Sequence, residues 1–259
     1  MTKEITIAIG DIHGIAWVLD VLLQNLESRF SGDKPRFIFL GDVIDRGEHS
    51  LPAMNMVCAT IENYPGSVLV LGNHDEYLLR LLKGELSDDD QRVWMMLGGI
   101  ETLQSYAVDH CETDDQIRVD LERIRPKHVA LLKSAVSMVL SPRHCFVHAG
   151  INPARPLNDQ SEKDLRYIRK GFLDHTEMME RIIVHGHSIT PSERPEVFRN
   201  RIAIDTGSYR TGRISAAIFE NDILTGFVSA EVVEGKAVIT TYDPNAEPVA
   251  AGTLVSLHL

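Results

Sequence analysis

Residues 5–14, ITIAIGDIHG, decide how this chain reads. Ile5, Ile7 and Ile9 alternate with Thr6 and Ala8, and alternation with period two marks a β-strand. Gly10 breaks the strand and Asp11 follows. A carboxylate therefore stands just beyond the carboxyl end of a strand, the edge where α/β sheets place their sites. Asp11 and His13 are two residues apart, so on extended backbone their side chains point to the same side and suit one ion.

The same device recurs along the chain. The apolar run Phe37 to Leu40 leads into Gly41-Asp42, with Asp45-Arg46-Gly47 close behind. Val68 to Leu71 lead into Gly72-Asn73-His74-Asp75. Later come His148-Ala149-Gly150, and Val184 before His185-Gly186-His187. Glycine lets the backbone turn sharply and approach an ion or phosphate closely. An isolated Gly-Asp pair is ordinarily only a turn; the ordered series reads as a site. Asp42 can bridge two ions with its two oxygens, and Asn73 offers a neutral one. Mixed carboxylate, amide and imidazole donors favour Mn, Fe or Zn over Mg or Ca.

Strand–turn–helix units fill the first 80 residues, with helices expected over 15–28 and 51–63, which argues for an α/β sheet. Residues 84–136 are expected to form a helical layer inserted in a single domain covering 1–259, with Asp88-Asp89-Asp90 as a solvated helix start. From 137 onward the expected strands are 137–140, 145–148, 182–184, 197–198, 202–204, 214–219, 223–228 and 238–241, with a helix over 161–173.

The 259 residues carry 26 Lys+Arg against 37 Asp+Glu, a net charge of −11. That balance disfavours nucleic-acid backbones and anionic lipid as partners. No apolar run approaches the ~18 residues of a membrane span, and the apolar part of Met1 to Gly10 is too short for a secretory signal. Cys58, Cys111 and Cys145 lack the spacing of a disulfide framework or a zinc motif and read as idle thiols. These features point to a reducing cytoplasm.

Together the segments resemble the signature blocks of the phosphoprotein phosphatase (PPP) family of calcineurin-like metallophosphoesterases. GDxHG is similar to 10–14, GDxxDRG to 41–47 and GNH(E/D) to 72–75, with two His blocks later. The resemblance runs from residue 10 to about 207. Trp94, Gly98-Gly99, Thr102-Leu103 and Ser105-Tyr106 look like the bacterial serine/threonine phosphatase branch, as does Tyr167 to Leu173 beside a WIRxxFL segment. The resemblance implies an α/β fold of two mixed β-sheets in a sandwich flanked by α-helices. It implies two divalent metal ions, Mn2+ first, sharing a hydroxide. Asp11 and His13 match ligands of the first ion, Asp42 the bridge, and Asn73, His148 and His187 ligands of the second. His74 matches the acid that protonates the leaving oxygen, Asp45 the carboxylate that orients it, and Arg46 and Arg169 clamps on the phosphate.

Ile189 stands where wider metallophosphoesterases place a second His, which favours the PPP branch, and Asp75 stands where most protein phosphatases have Glu. Dinucleoside tetraphosphatases and some bacterial relatives carry Asp there. His185 has no ligand role in the pattern and reads as a rim residue before a supporting one. Ile204-Asp205-Thr206-Gly207 fits a late family block or a plain strand and turn. The implied substrate is a phosphoprotein, serine/threonine-linked, or a small phosphoester. The second reading is symmetrical cleavage of a bis(5'-nucleosyl)-tetraphosphate; the third is a non-catalytic module that docks phosphoproteins.

Overall fold

The structure, a computed structural model, describes residues 3–109 and 113–244; Cys111 lies outside the described residues. Strand β1 (Ile5–Ile9) is followed by α1 (Ala16–Arg29), β2 (Arg36–Phe39), α2 (Ser50–Asn63), β3 (Val68–Leu69) and α3 (Asn73–Lys83). The helical stretch continues with α4 (Asp88–Trp94), a kinked turn (Met95–Gly99), α5 (Ile100–Ser105), α6 (Asp114–Ile124) and α7 (Pro126–Ser134). Then come β4 (Met138–Leu140), β5 (His144–Val147), α8 (Glu162–Tyr167), β6 (Ile182–His185), β7 (Glu196–Val197) and β8 (Arg201–Ala203). A short α9 (Ser208–Thr211) precedes β9 (Arg213–Glu220), β10 (Ile223–Val233) and β11 (Lys236–Tyr242).

Two mixed sheets form, as expected. One has the order β11-β10-β9-β1-β2-β3, the other β4-β5-β6-β8-β7. β1, β2 and β3 run parallel, as do β5, β6 and β8. The alternation in β1 sorts its side chains between two cores. Ile5, Ile7 and Ile9 join α1 and α2 residues such as Leu19, Leu22 and Val57 on the helix side. Ala8 turns to the seam between the sheets, beside Ile38, Phe146, Val184 and Phe219. Fully burying one such isoleucine is worth about 1.5–3 kcal/mol. The run Phe37 to Leu40 is apolar throughout because both faces of β2 are covered: Phe37 and Phe39 face the helices, Ile38 and Leu40 the seam. Residues of α5, α6 and α7, among them Leu103, Leu121 and Leu132, share the helix-side core.

Strand limits differ from expectation by a residue or two at most ends; β7 sits one residue early, and β10 runs on to Val233. The acidic start of α4 is as expected: Ser87 Oγ accepts the Asp90 N–H at 3.2 Å ahead of Asp88, Asp89 and Asp90. One helix is corrected. The expected helix over 161–173 stops at Tyr167, where Ile168 takes ψ 137°. Phe172 is buried against the His185 ring, 5.1 Å between centroids, so the chain leaves the helix to bring it there. That detour carries Arg169 to the mouth of the cleft described next.

Candidate active site

The ends of β1, β2, β3, β5 and β6 converge, and the polar residues that follow them meet there. The approach is close: a Cβ on Gly72 would lie 2.2 Å from Asp42 Oδ1, so this position admits only hydrogen. The backbone is left-handed at His13, Asp42, Asp45, Arg46 and His187, with φ between 48° and 72°. Asp11 and His13 therefore do not share the extended backbone expected of them. His13 is at φ 48°, not extended. Its turn is set by the Asp42 carbonyl, which accepts the N–H groups of Ile12 and His13 at 3.0 and 2.9 Å.

Two groups of donor atoms result: His13, Asp42 and His74, and Asp42, His148 and His187, each with its atoms within 4.8 Å of one another. Asp42 belongs to both. Its Oδ2 lies 3.7 Å from His13 Nε2, and its Oδ1 lies 3.4 Å from His148 Nε2. Asn73 Oδ1 is 3.0 Å from the same His148 nitrogen. Asp11 joins from behind, accepting the His187 N–H at 3.1 and 3.2 Å on its two oxygens. The rings are oriented by their far nitrogens: His13 Nδ1 meets the Ile44 carbonyl at 3.0 Å and His148 Nδ1 the Leu40 carbonyl at 2.7 Å. A proton on those nitrogens leaves each Nε2 lone pair facing inward, the usual second support of a metal-binding His.

The electrostatics fit divalent cations. Burial pushes His13 and His187 down to about 3 and lowers His148, so the rings are neutral and can coordinate. His187 Nε2 is buried without a hydrogen-bond partner. Burial, then Asp205 and Asp42, raise Asp11. Burial also raises Asp45, lifts Asp75 to about 7 and lifts Asp205 to about 6. Asp42 goes the other way: burial would raise it, but His148, His74 and His13 together hold it low. Carboxylates crowded out of water are costly unless cations offset them. Added Mn2+ at ~100 times its Kd should therefore raise the melting temperature of the chelator-treated protein by about 5–10 °C. Calorimetry reads this without turnover; an unshifted midpoint, or the same shift in His187→Ala, would count against the site.

Beside these groups, His74 Nδ1 meets Asp45 Oδ2 at 2.7 Å. Burial disfavours a charged His74, but Asp42 and then Asp45 outweigh it and its pKa is raised. The Arg46 guanidinium lies 4.2 Å above the Tyr209 ring, and Arg169 donates to the His187 carbonyl at 3.1 Å. Both arginines line a cleft of about 550 Å³ together with Tyr77, Tyr167, Tyr209 and Asp205. Every sequence-selected site residue is thus at or directly behind this cleft.

Three neighbours read differently from expectation. His185 is fully buried, not at the rim; its Nδ1 meets the Gly186 carbonyl at 3.0 Å. Asp75 is also fully buried and accepts from the N–H groups of Val43 at 3.1 Å and Gly72 at 3.3 Å. It ties the Asp42 loop to the start of α3, so its identity bears on the loop and not on substrate contact. Asp205, left open between turn and site, lies in the cleft wall with its Oδ1 accepting the Gly207 N–H at 2.9 Å. The tyrosines went unselected. Tyr167 opens the family-like run to Leu173, and Tyr209 lies two residues past the late Asp205–Gly207 block; Tyr77 carries no signal beyond its helix.

Residues 6–205 match the family model "Calcineurin-like phosphoesterase". A bis(5'-nucleosyl)-tetraphosphatase of the asymmetrical type from Anoxybacillus flavithermus is 26% identical over 80% of this chain and 87% of its own length. A symmetrical bis(5'-nucleosyl)-tetraphosphatase from Coxiella burnetii is 30% identical over 57% of this chain, which spans 42% of that relative. A solved structure provisionally described as a diadenosine tetraphosphatase aligns over 92% of this chain and 94% of its own, at TM-score 0.56 and 20% identity, a likeness of fold. No described helix is long and apolar enough to cross a membrane. With its strand-end donors meeting around Asp42 and a family model spanning residues 6–205, the chain belongs to the calcineurin-like phosphoesterases, metal-dependent hydrolases of phosphate esters.

Proposed function

We propose that this chain hydrolyses dinucleoside tetraphosphates at a two-metal site. The observation that carries this reading is the match to a bis(5'-nucleosyl)-tetraphosphatase over 80% of the chain. Sequence reasoning put phosphoproteins ahead of dinucleotides; the names of the relatives reverse that order. The cleft is in keeping with it: about 550 Å³ is the size of a small-molecule site. Tyr77, Tyr167 and Tyr209 put aromatic rings in the cleft lining as partners for a base, and Arg46 and Arg169 offer forks to a phosphate chain.

Asp11, His13 and Asp42 would hold one divalent cation, and Asp42, Asn73, His148 and His187 the other, with Mn2+ ahead of Fe and Zn. Such a pair supplies Lewis-acid charge and an activated water. The protein residues do the rest. Arg46 and Arg169 fix the phosphoryl oxygens. His74, aimed by Asp45, holds a proton for the departing oxygen.

The test is a product assay on the Mn2+-loaded protein with diadenosine tetraphosphate, phosphoserine peptides and aryl phosphates. ADP alone marks symmetrical cleavage, and ATP with AMP marks asymmetrical cleavage. Either, at a kcat/KM at least about tenfold above every phosphopeptide, is the expected result. A phosphopeptide processed faster than the dinucleotide would overturn it in favour of a protein phosphatase.

A further inference from the structure

We infer that Trp94 and Thr102, from the helical layer, are positioning residues that hold Asp45, and through it His74, in proton-donating geometry. The inference rests on reading His74 as the acid.

Asp45 is fully buried, and its oxygens are engaged from outside the cleft. Trp94 Nε1–H donates to Oδ1 at 3.1 Å and to Oδ2 at 3.0 Å. The Thr102 hydroxyl donates to Oδ1 at 2.7 Å, and its oxygen accepts the Asp45 N–H at 2.9 Å. One Thr side chain thus grips both the backbone and the carboxylate of Asp45. What remains open on Oδ2 is the direction taken by His74 Nδ1. Rotation of the carboxylate about its own bond would break the indole contact, so the oxygen presented to His74 Nδ1 is set by residues outside the cleft lining.

The layer reaches this point through the kinked turn between α4 and α5. Gly98, at φ 115°, lies against the left-handed Asp45–Arg46 backbone, and a Cβ there would fall 2.1 Å from the Arg46 nitrogen. Trp94 and Thr102 flank that turn and are both fully buried. A buried indole needs some acceptor for its N–H, and any carbonyl would serve. Here the acceptor is the carboxylate paired with His74, and a second donor eight residues on converges on the same group.

The test compares Trp94→Phe, Thr102→Val, Thr102→Ser and His74→Asn on two aryl phosphates, with Mn2+ present throughout. 4-Nitrophenyl phosphate releases a stable anion and needs little help from an acid; phenyl phosphate needs the proton. The ratio of the two rates is taken on one sample, so it does not depend on how much protein is folded. Trp94→Phe and Thr102→Val should each lower kcat on phenyl phosphate by about tenfold more than on 4-nitrophenyl phosphate, a partial loss of the ~10²–10⁴-fold supplied by a well-placed acid. Thr102→Ser, which keeps the hydroxyl, should restore the parental ratio. If His74→Asn shifts the ratio while Trp94→Phe and Thr102→Val lower both rates equally, the positioning role is wrong and the acid reading stands. If His74→Asn leaves the ratio unchanged, the acid reading itself fails and takes this inference with it.

Discussion

Asp42→Asn is expected to lower kcat by at least about 10³-fold on any phosphate ester the protein accepts, since removing one well-placed charge-stabilising group alone costs ~10²–10³. Asp42 is the one side chain common to both donor groups, and Asn keeps its shape while removing its charge. Oδ1 also accepts the His74 N–H at 2.9 Å, at the start of α3. Asn can keep that bond with its amide oxygen, so the helix start should survive. Far-UV circular dichroism and the melting midpoint measured without metal should stay near those of the parent. The midpoint shift on adding Mn2+ should shrink, because both donor groups lose the anion they share. A variant that turns over within about tenfold of the parent would remove Asp42 from the centre of the site.

The second large effect is expected at His74. On an alkyl phosphate such as phosphoserine, His74→Asn should lower kcat by ~10²–10⁴-fold, the range of a positioned general acid. On a dinucleoside tetraphosphate the departing group is itself a phosphate, which carries negative charge far more readily than an alkoxide. The same substitution should therefore cost the anhydride reaction much less, about tenfold. Steady-state rates on both substrates decide the matter. Equal losses on ester and anhydride would mean that His74 binds or supports without delivering a proton.

How far the sequence foretold all this depends on whether the deciding neighbours are local. The β1 alternation and the Phe37–Leu40 run were legible because burial on one face or two leaves its own period. The meeting of these strand-end residues was legible because each follows an apolar strand, but not their grouping: the sequence set Asp11 with His13 and Asp42, whereas the structure brings His74 to His13 and Asp42. The helix over 161–173 misled because Leu165, Ile168 and Phe172 keep a helical spacing. That spacing is shared by a six-residue helix and a loop that docks Phe172 on His185. The turn at His13 is dictated by the carbonyl of Asp42, 29 positions on, and could not be read locally. Burial of His185 and the place of Asp205 are likewise tertiary facts. Trp94 and Thr102 were visible as part of a family-like run, but their hold on Asp45 needed coordinates.

The left-handed backbone at His13, Asp42, Asp45, Arg46 and His187 sets a limit on how this protein can be improved. Each such residue stores about 1–3 kcal/mol of strain that a glycine would release. Selection for heat resistance alone would favour glycine at these positions, whose side chains line the cleft or, at Asp45, hold His74. Along the strand ends, a tougher version of this chain and a faster one are different molecules.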